Sequence, residues 1–228
     1  MNAIDLLPDL PRWVETRDLL GWDGARVHQD DEASPSFVVW SPEDQLGSVV
    51  GTPQAKAVRE AAAACAELLA FPENIEFVRG CLGEVSSERA KILLAPEEGV
   101  GEPHHACRFL RPEEVPQVAP EVPELAAELA SVAEDGKDIY AAFDGETPVA
   151  FAYVASETES LWDVSIDTLS SHRRRGYAAS AVAGLAHMMN KRGKRAVWGA
   201  AESNKASYGL ARKLGFEEVD ELWVLTKT

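Results

Sequence analysis

Cysteine is scarce in this chain. There are three in 228 residues, Cys65, Cys81 and Cys107, odd in number and far apart. No disulfide framework is expected, and a reducing cytoplasm is the expected compartment. Long apolar runs are also missing: nothing approaches the roughly 18 consecutive apolar residues of a membrane span. The stretch MNAIDLLPDLPRWVETRDLL has acids and prolines where a signal peptide has a basic region, so none is expected. Positive charge is in deficit, with 22 Lys and Arg against 38 Asp and Glu and a formal charge of −16. So acidic a surface argues against general binding to nucleic acid or anionic membrane. Two phosphate-binding signatures are absent as well, G-x-x-x-x-G-K-[ST] and G-x-G-x-x-G.

What is present is globular: 46% apolar and 26% charged residues, in a length that suits one or two domains. The segment APEEGVGEPHHA, 95–106, is rich in Gly, Pro and Glu and reads as a linker. We expect an N-terminal α/β lobe over 1–103, of unassigned role, and a second domain over 104–228. Charge differs between them. Residues 1–104 carry a net −11, residues 105–228 a net −5, and within the latter residues 170–213 carry a net +9. That island is either an anion site or the solvated surface of a helix whose end Lys191–Arg195 complement.

In the N-terminal part, SFVVW (36–40) reads as a strand and GSVVG (47–51) as a second strand or a loop. PQAKAVREAAAACAELLAF (53–71) reads as one helix, with Thr52 as cap and Pro53 in its first turn. IEFVRG (75–80) and AKILLAP (90–96) read as strands. Val49-Val50-Gly51 ahead of a helix is either a phosphate cradle or a plain strand-to-helix connection.

The second part is more regular. A short strand opens CRFLRPEEVP (107–116), and a helix spans 122–138 and stops at Gly136. Two apolar runs flank Asp144-Gly145 in 139–155, a hairpin signal. LWDVSIDTL (161–169) alternates apolar and polar residues as a half-buried strand does. A helix follows over 176–193, a strand over 195–201, a short helix over 204–216 capped by Asn204, and a last strand over 217–227. The order is β-α-β-β-β-α-β-α-β.

The stretch SSHRRRGYAASAV (170–182) lies where a strand ends and a helix begins. A helix N-terminus offers unpaired N–H groups and a partial positive charge to an anion. Gly176 has no Cβ, so backbone can approach the anion closely. Ala178, Ala179 and Ser180 keep the first turn clear, and Arg173, Arg174 and Arg175 add charge and donors. The inference is a diphosphate site.

Arg173-x-x-Gly176-x-Ala178 resembles the [Arg/Gln]-x-x-Gly-x-[Gly/Ala] loop of the Gcn5-related N-acetyltransferase (GNAT) superfamily. The element order of 105–228, the Asp144-Gly145 hairpin, and NKASYGLARKLGF with Asn204, Ser207 and Lys213-Leu214-Gly215-Phe216 are similar to that family too. The nearest likeness is to a bacterial branch with an extra N-terminal region. It covers residues 105–228, and no motif in 1–104 takes part. The resemblance implies an α/β fold with a mixed central sheet flanked by helices, to which the N-terminal lobe is added. A degenerate, half-sized copy of the same fold is one reading of that lobe.

The resemblance further implies acetyl-CoA as cosubstrate and an amine as acceptor, and it is compatible with a homodimer. Ile166, Asp167 and Thr168 would offer backbone groups to the pantetheine arm. Arg173, Arg174, Arg175, Gly176, Tyr177, Ala178 and Ala179 would hold the diphosphate, and Asn204 and Ser207 would contact the arm. Many members carry a tyrosine seven residues after the helix-opening asparagine; here that position is Ala211, and Tyr208 lies on another side of the helix. Ser207 is the substitute acid, and Asp163 and Glu202 are the base candidates.

Other functions are weaker on the residues. His104, His105 and Cys107 lack a second pair of ligands, so no metal is expected. The six tryptophans are scattered like core and pocket wall, not like a base-stacking platform. A non-catalytic CoA-binding regulatory module is the alternative to an enzyme, since Ala211 removes a common acid.

Overall fold

The computed structural model describes residues 2–31, 34–118 and 122–227. Its chain divides into two compact units. The first comprises the chain up to Leu93, then Gly199–Tyr208, and the segment from Glu218 onward; the second comprises Leu94–Trp198 and Gly209–Glu217. The boundary expected at 103/104 falls inside the first segment of the second unit.

The first unit holds helix α1 (Val14–Gly21), strands β1 (Arg26–Gln29), β2 (Phe37–Ser41) and β3 (Leu46–Val50), helix α2 (Ala55–Ala64), strand β4 (Glu67–Ala70), helix α3 (Ile75–Leu82) and strand β5 (Ser86–Leu94). β1, β2 and β3 form an antiparallel meander, and β4 returns parallel to β3 with Leu46 opposite Glu67. The last strand of the chain, β11 (Glu217–Thr226), pairs antiparallel with β4, Trp223 opposite Ala70. Its core gathers Val38, Val49, Val58, Ala61, Leu68, Ile75 and Leu225.

Two expectations are corrected here. The helix read over 53–71 starts at Ala55, with Gln54 and not Thr52 at the cap position, and it ends at Ala64. Residues 67–70 are strand β4 although Ala, Glu and Leu favour helix. Leu68, Leu69 and Ala70 are each at most 2% exposed, the pattern of a strand with both faces covered. The run 75–80, read as a strand, is helix α3, which buries Ile75 and Val78 at helical spacing. Asn74 at its start is 2% exposed. Its carboxamide oxygen accepts the Phe71 N–H at 2.7 Å, and its NH2 donates to the carbonyls of Val49 and Gly51. In both cases tertiary burial overrides local propensity.

In α1, burial and the carboxylates of Glu67 and Asp18 push the Glu15 carboxyl up to about 7. The folded state then holds a proton that the unfolded chain, ordinarily near 4.5, has released. Stability therefore falls as pH rises from about 4.5 to about 7. Glu15→Gln should raise stability at pH 8 by roughly 1–3 kcal/mol and change it little at pH 4.5. Urea unfolding at the two pH values checks this; an equal effect at both would show that Glu15 titrates normally.

The second unit holds strand β6 (Cys107–Phe109), a 3-10 turn over Pro112–Gln117, helix α4 (Pro123–Glu134), and strands β7 (Ile139–Asp144), β8 (Thr147–Glu157) and β9 (Leu161–Thr168). Helix α5 (Tyr177–Lys191), strand β10 (Arg195–Ala201) and helix α6 (Lys205–Lys213) follow, with the end of β10 and the start of α6 belonging to the first unit. The strand order is β10-β9-β8-β7-β6, with β10 parallel to β9 and the remaining pairs antiparallel. Along the chain, the order of elements from β6 to β11 is the one expected for 105–228. Both units are mixed sheets with helices. The side chains of Trp162 and Val164 are buried, while Asp163, Ser165 and Asp167 on the other face are half-exposed.

The structure shows a repetition that the sequence does not display. Meander, helix, parallel strand, helix and strand occur twice, as β1-β2-β3-α2-β4-α3-β5 and as β7-β8-β9-α5-β10-α6-β11. The closing strand of the second series, β11, completes the first unit beside β4. In the second unit, Ala95 just beyond β5 donates its N–H to Ala196 of β10 at 2.9 Å.

Candidate active site

Strand β9 is paired unequally on its two edges. Its ladder with β8 runs from Trp162 opposite Glu157 to Thr168 opposite Ala150. Its parallel ladder with β10 covers only Leu161, Trp162 and Asp163, opposite Arg195, Ala196 and Val197. From Val164 to Thr168 the edge toward β10 keeps no ladder partner among the described residues. Backbone N–H and C=O groups there are available to a ligand lying alongside as a strand would. Ile166, Asp167 and Thr168 are in this run.

A 3-10 turn at Ser170–His172 then leads into the arginines. Arg173 Nε donates to the Thr168 carbonyl at 3.3 Å, which ties the loop to the end of the strand. Arg174 takes φ 62° and Gly176 φ 91°, both left-handed. Such backbone is costly for most side chains and free for glycine, so the loop stores strain at Arg174 and avoids it at Gly176. Gly176 occupies the cap position of α5 with no side-chain cap. The first intrahelical bond is Ser180 N–H to the Gly176 carbonyl, 3.1 Å. The amides of Tyr177, Ala178 and Ala179 therefore point out of the helix without an intrahelical acceptor.

The loop is braced from two sides. Asp144, at the β7–β8 hairpin, lies 3.4 Å from His172 Nε2 and 3.6 Å from an Arg175 guanidinium nitrogen. The Tyr177 phenol is held above its ordinary value by burial first and then by Asp144. From the other side comes the segment before β6. The buried Ser180 hydroxyl accepts the backbone N–H groups of His104 and His105, each at 3.1 Å. The His105 ring lies 4.1 Å from the Tyr177 ring, centroid to centroid. Burial pushes the Cys107 thiol up to about 11, so it is a poor nucleophile near neutral pH. Among the described residues no group of three or more His, Cys, Asp or Glu is arranged to hold a metal.

The remaining candidates have these places. Asp163 is half-buried on β9, at the last position paired with β10. Glu202 is paired with Arg89, which donates to its Oε1 from Nε at 2.7 Å. Asn204 caps α6, its Oδ1 accepting the Ser207 N–H at 3.1 Å. Ala211 is fully buried, and Tyr208 gives its hydroxyl to Glu218. Asp163, Ile166–Thr168 and Arg173–Ala179 lie in the second unit; Glu202, Asn204 and Ser207 lie in the first. Sequence reasoning missed the Asp144 and His105 braces, whose only signal was a hairpin acid and a histidine pair. It also missed Tyr153, whose hydroxyl meets Glu128 and, at 3.1 Å, Asp167. Burial first, then the hydrogen bond to Glu128, raises that phenol well above its usual range.

Comparison with known proteins agrees with the fold. Residues 140–225 match the family model for GNAT acetyltransferases. The fold is similar to a GCN5-related N-acetyltransferase-like protein from Streptococcus suis, with a TM-score of 0.72 and 16% identity, covering 99% of this chain and 98% of that one. A GCN5-related N-acetyltransferase from Kribbella flavida gives 0.66 and 15%, covering 100% and 95%. A tandem GNAT protein from the clavulanic acid biosynthesis pathway gives 0.57 and 12%, covering 97% and 92%. No curated protein matches the sequence. At these identities the structural likeness is one of fold. The fold is thus that of the GNAT proteins, and residues 140–225 match the GNAT acetyltransferase model.

Proposed function

We propose that this chain is an acetyl-CoA-dependent N-acetyltransferase that passes the acetyl group directly to an amine. The observation that carries the reading is the run from the unpaired edge of β9 to the uncapped N-terminus of α5. Its first part suits an amide-bearing arm and its second a diphosphate, and Arg173 to Gly176 join them.

Acetyl-CoA supplies a thioester, so the reaction forms one C–N bond and breaks one C–S bond. The amine must lose a proton and the departing thiolate must gain one. Asp163 and Glu202 are the base candidates, and Glu202 accepts a hydrogen bond from Arg89. Ser207 is the acid candidate, on a helix turn fixed by Asn204. The backbone of Ile166–Thr168 orients the arm, and Arg173–Ala179 hold the diphosphate, with Asn204 and Ser207 as further contacts. The three free cysteines and the acidic composition suit a reducing cytoplasm. Among the described residues no helix is long and apolar enough to cross a membrane.

The N-terminal lobe, 1–103, is a second, eroded copy of the fold without a cofactor site. At its matching junction, a Cβ on Gly51 would lie 2.3 Å from Ser36 Oγ, and that hydroxyl accepts the Thr52 N–H. Pro53 has no N–H, and the Gln54 N–H faces the Asp30 carboxylate at 3.4 Å. An internal hydroxyl and an acid occupy the place of a phosphate.

Calorimetric titration with acetyl-CoA should therefore show one site per chain. Release of free CoA thiol should follow with at least one amine in a panel, faster for cationic than for neutral amines at low salt, given the −16 charge. Absence of binding would refute the reading. The buried Ala211 favours one alternative, a CoA-binding module, which predicts binding without turnover on any amine.

A further inference from the structure

We propose that His105 is a positioning residue of the phosphate loop, orienting the Arg175–Gly176 peptide; its effect on cofactor binding rests on the reading above. His105 Nε2 lies 3.0 Å from the Arg175 carbonyl oxygen. A carbonyl only accepts, so Nε2 carries the hydrogen and donates it. A trans peptide holds its N–H opposite its C=O. Drawing the Arg175 carbonyl toward the imidazole therefore turns the Gly176 N–H away from it. That amide precedes the three free amides of α5.

The brace is itself rigidly held. Both backbone N–H groups of His104 and His105 end on the buried Ser180 hydroxyl, one turn into α5. The ring is pressed against Tyr177, and the His105 carbonyl accepts from Cys107 Sγ at 3.2 Å. A Cβ on Gly176 would lie 3.3 Å from His105 Nε2, so imidazole and glycine backbone are in near contact. Left-handed residues at 174 and 176 bracket the peptide, and such a linkage needs an outside contact to keep one orientation. His105 supplies it from a segment about 70 residues away in the chain.

Two measurements test this. In ligand-free protein, nitrogen NMR of the His105 ring should show the Nε2–H tautomer; the Nδ1–H tautomer would overturn the proposal whether or not acetyl-CoA binds. Titration with acetyl-CoA should show about tenfold weaker binding for His105→Ala, the loss expected of one hydrogen bond. His105→Gln, whose amide nitrogen sits the same number of bonds from Cβ, should recover most of it at an unchanged melting temperature. Wild-type affinity in His105→Ala, or equal losses in Ala and Gln, would overturn the proposal. If the wild type binds no acetyl-CoA, the functional reading fails, and the tautomer still decides the brace.

Discussion

Gly176→Trp should abolish acetyl-CoA binding, weakening it at least about 100-fold, while the protein stays folded. Two effects add. At φ 91° any side chain is strained, which costs about 1–2 kcal/mol and deforms the loop. The indole also fills the space through which an anion reaches the amides of Tyr177–Ala179, and its Cβ already crowds His105 Nε2. The rest of the fold is little disturbed, since Gly176 is exposed. Calorimetry and melting in parallel separate these effects. Acetyl-CoA at about 100 times its dissociation constant should stabilise the wild type by roughly 2.7 kcal/mol and the variant not at all. Binding retained in a folded variant would remove the diphosphate from the α5 N-terminus.

Gly184→Ala should destabilise the second unit by about 2 kcal/mol, against helix propensity. In an isolated helix alanine is favoured over glycine by about 1 kcal/mol. At Gly184, however, a methyl group would lie 2.1 Å from Cε1 and 2.7 Å from Cδ1 of Tyr140. That ring is packed edge-on against Phe109 at 4.8 Å, so making room means shifting it against a neighbour. Overpacking of this kind typically costs about 1–3 kcal/mol and here outweighs the propensity gain. The sign should reverse once the ring is gone: in a Tyr140→Ala background, Gly184→Ala should stabilise by up to about 1 kcal/mol. Urea unfolding of the four proteins decides it. Equal effects in both backgrounds would show that the close approach is not what glycine provides there.

Much of the second unit was legible because its signals are local. Asp144-Gly145 between two apolar runs made the hairpin, alternation marked β9, and small residues with a preceding glycine marked the start of α5. Asn204 caps its helix as its type and place suggested. These features depend on residues within a few positions of each other, and backbone sterics and hydrogen-bonding chemistry act at that range.

Tertiary structure decided the rest. AELLAF favours helix, yet Leu68–Ala70 form a strand between β3 and β11, because that placement buries every side chain. IEFV favours strand, yet Asn74 collects three backbone hydrogen bonds and starts α3. Glu202 met Arg89, more than 100 residues away, which no spacing rule foretells. The repeated order of elements lies in pairing and direction, and the residues themselves show no repeat. By itself, then, the sequence determined where the Asp144-Gly145 turn, the Asn204 cap and the start of α5 would be, since those are set by short-range geometry. Which strands pair, which junction stays open and which histidine holds the loop depend on burial and contacts between distant residues, and only the folded chain brings those together.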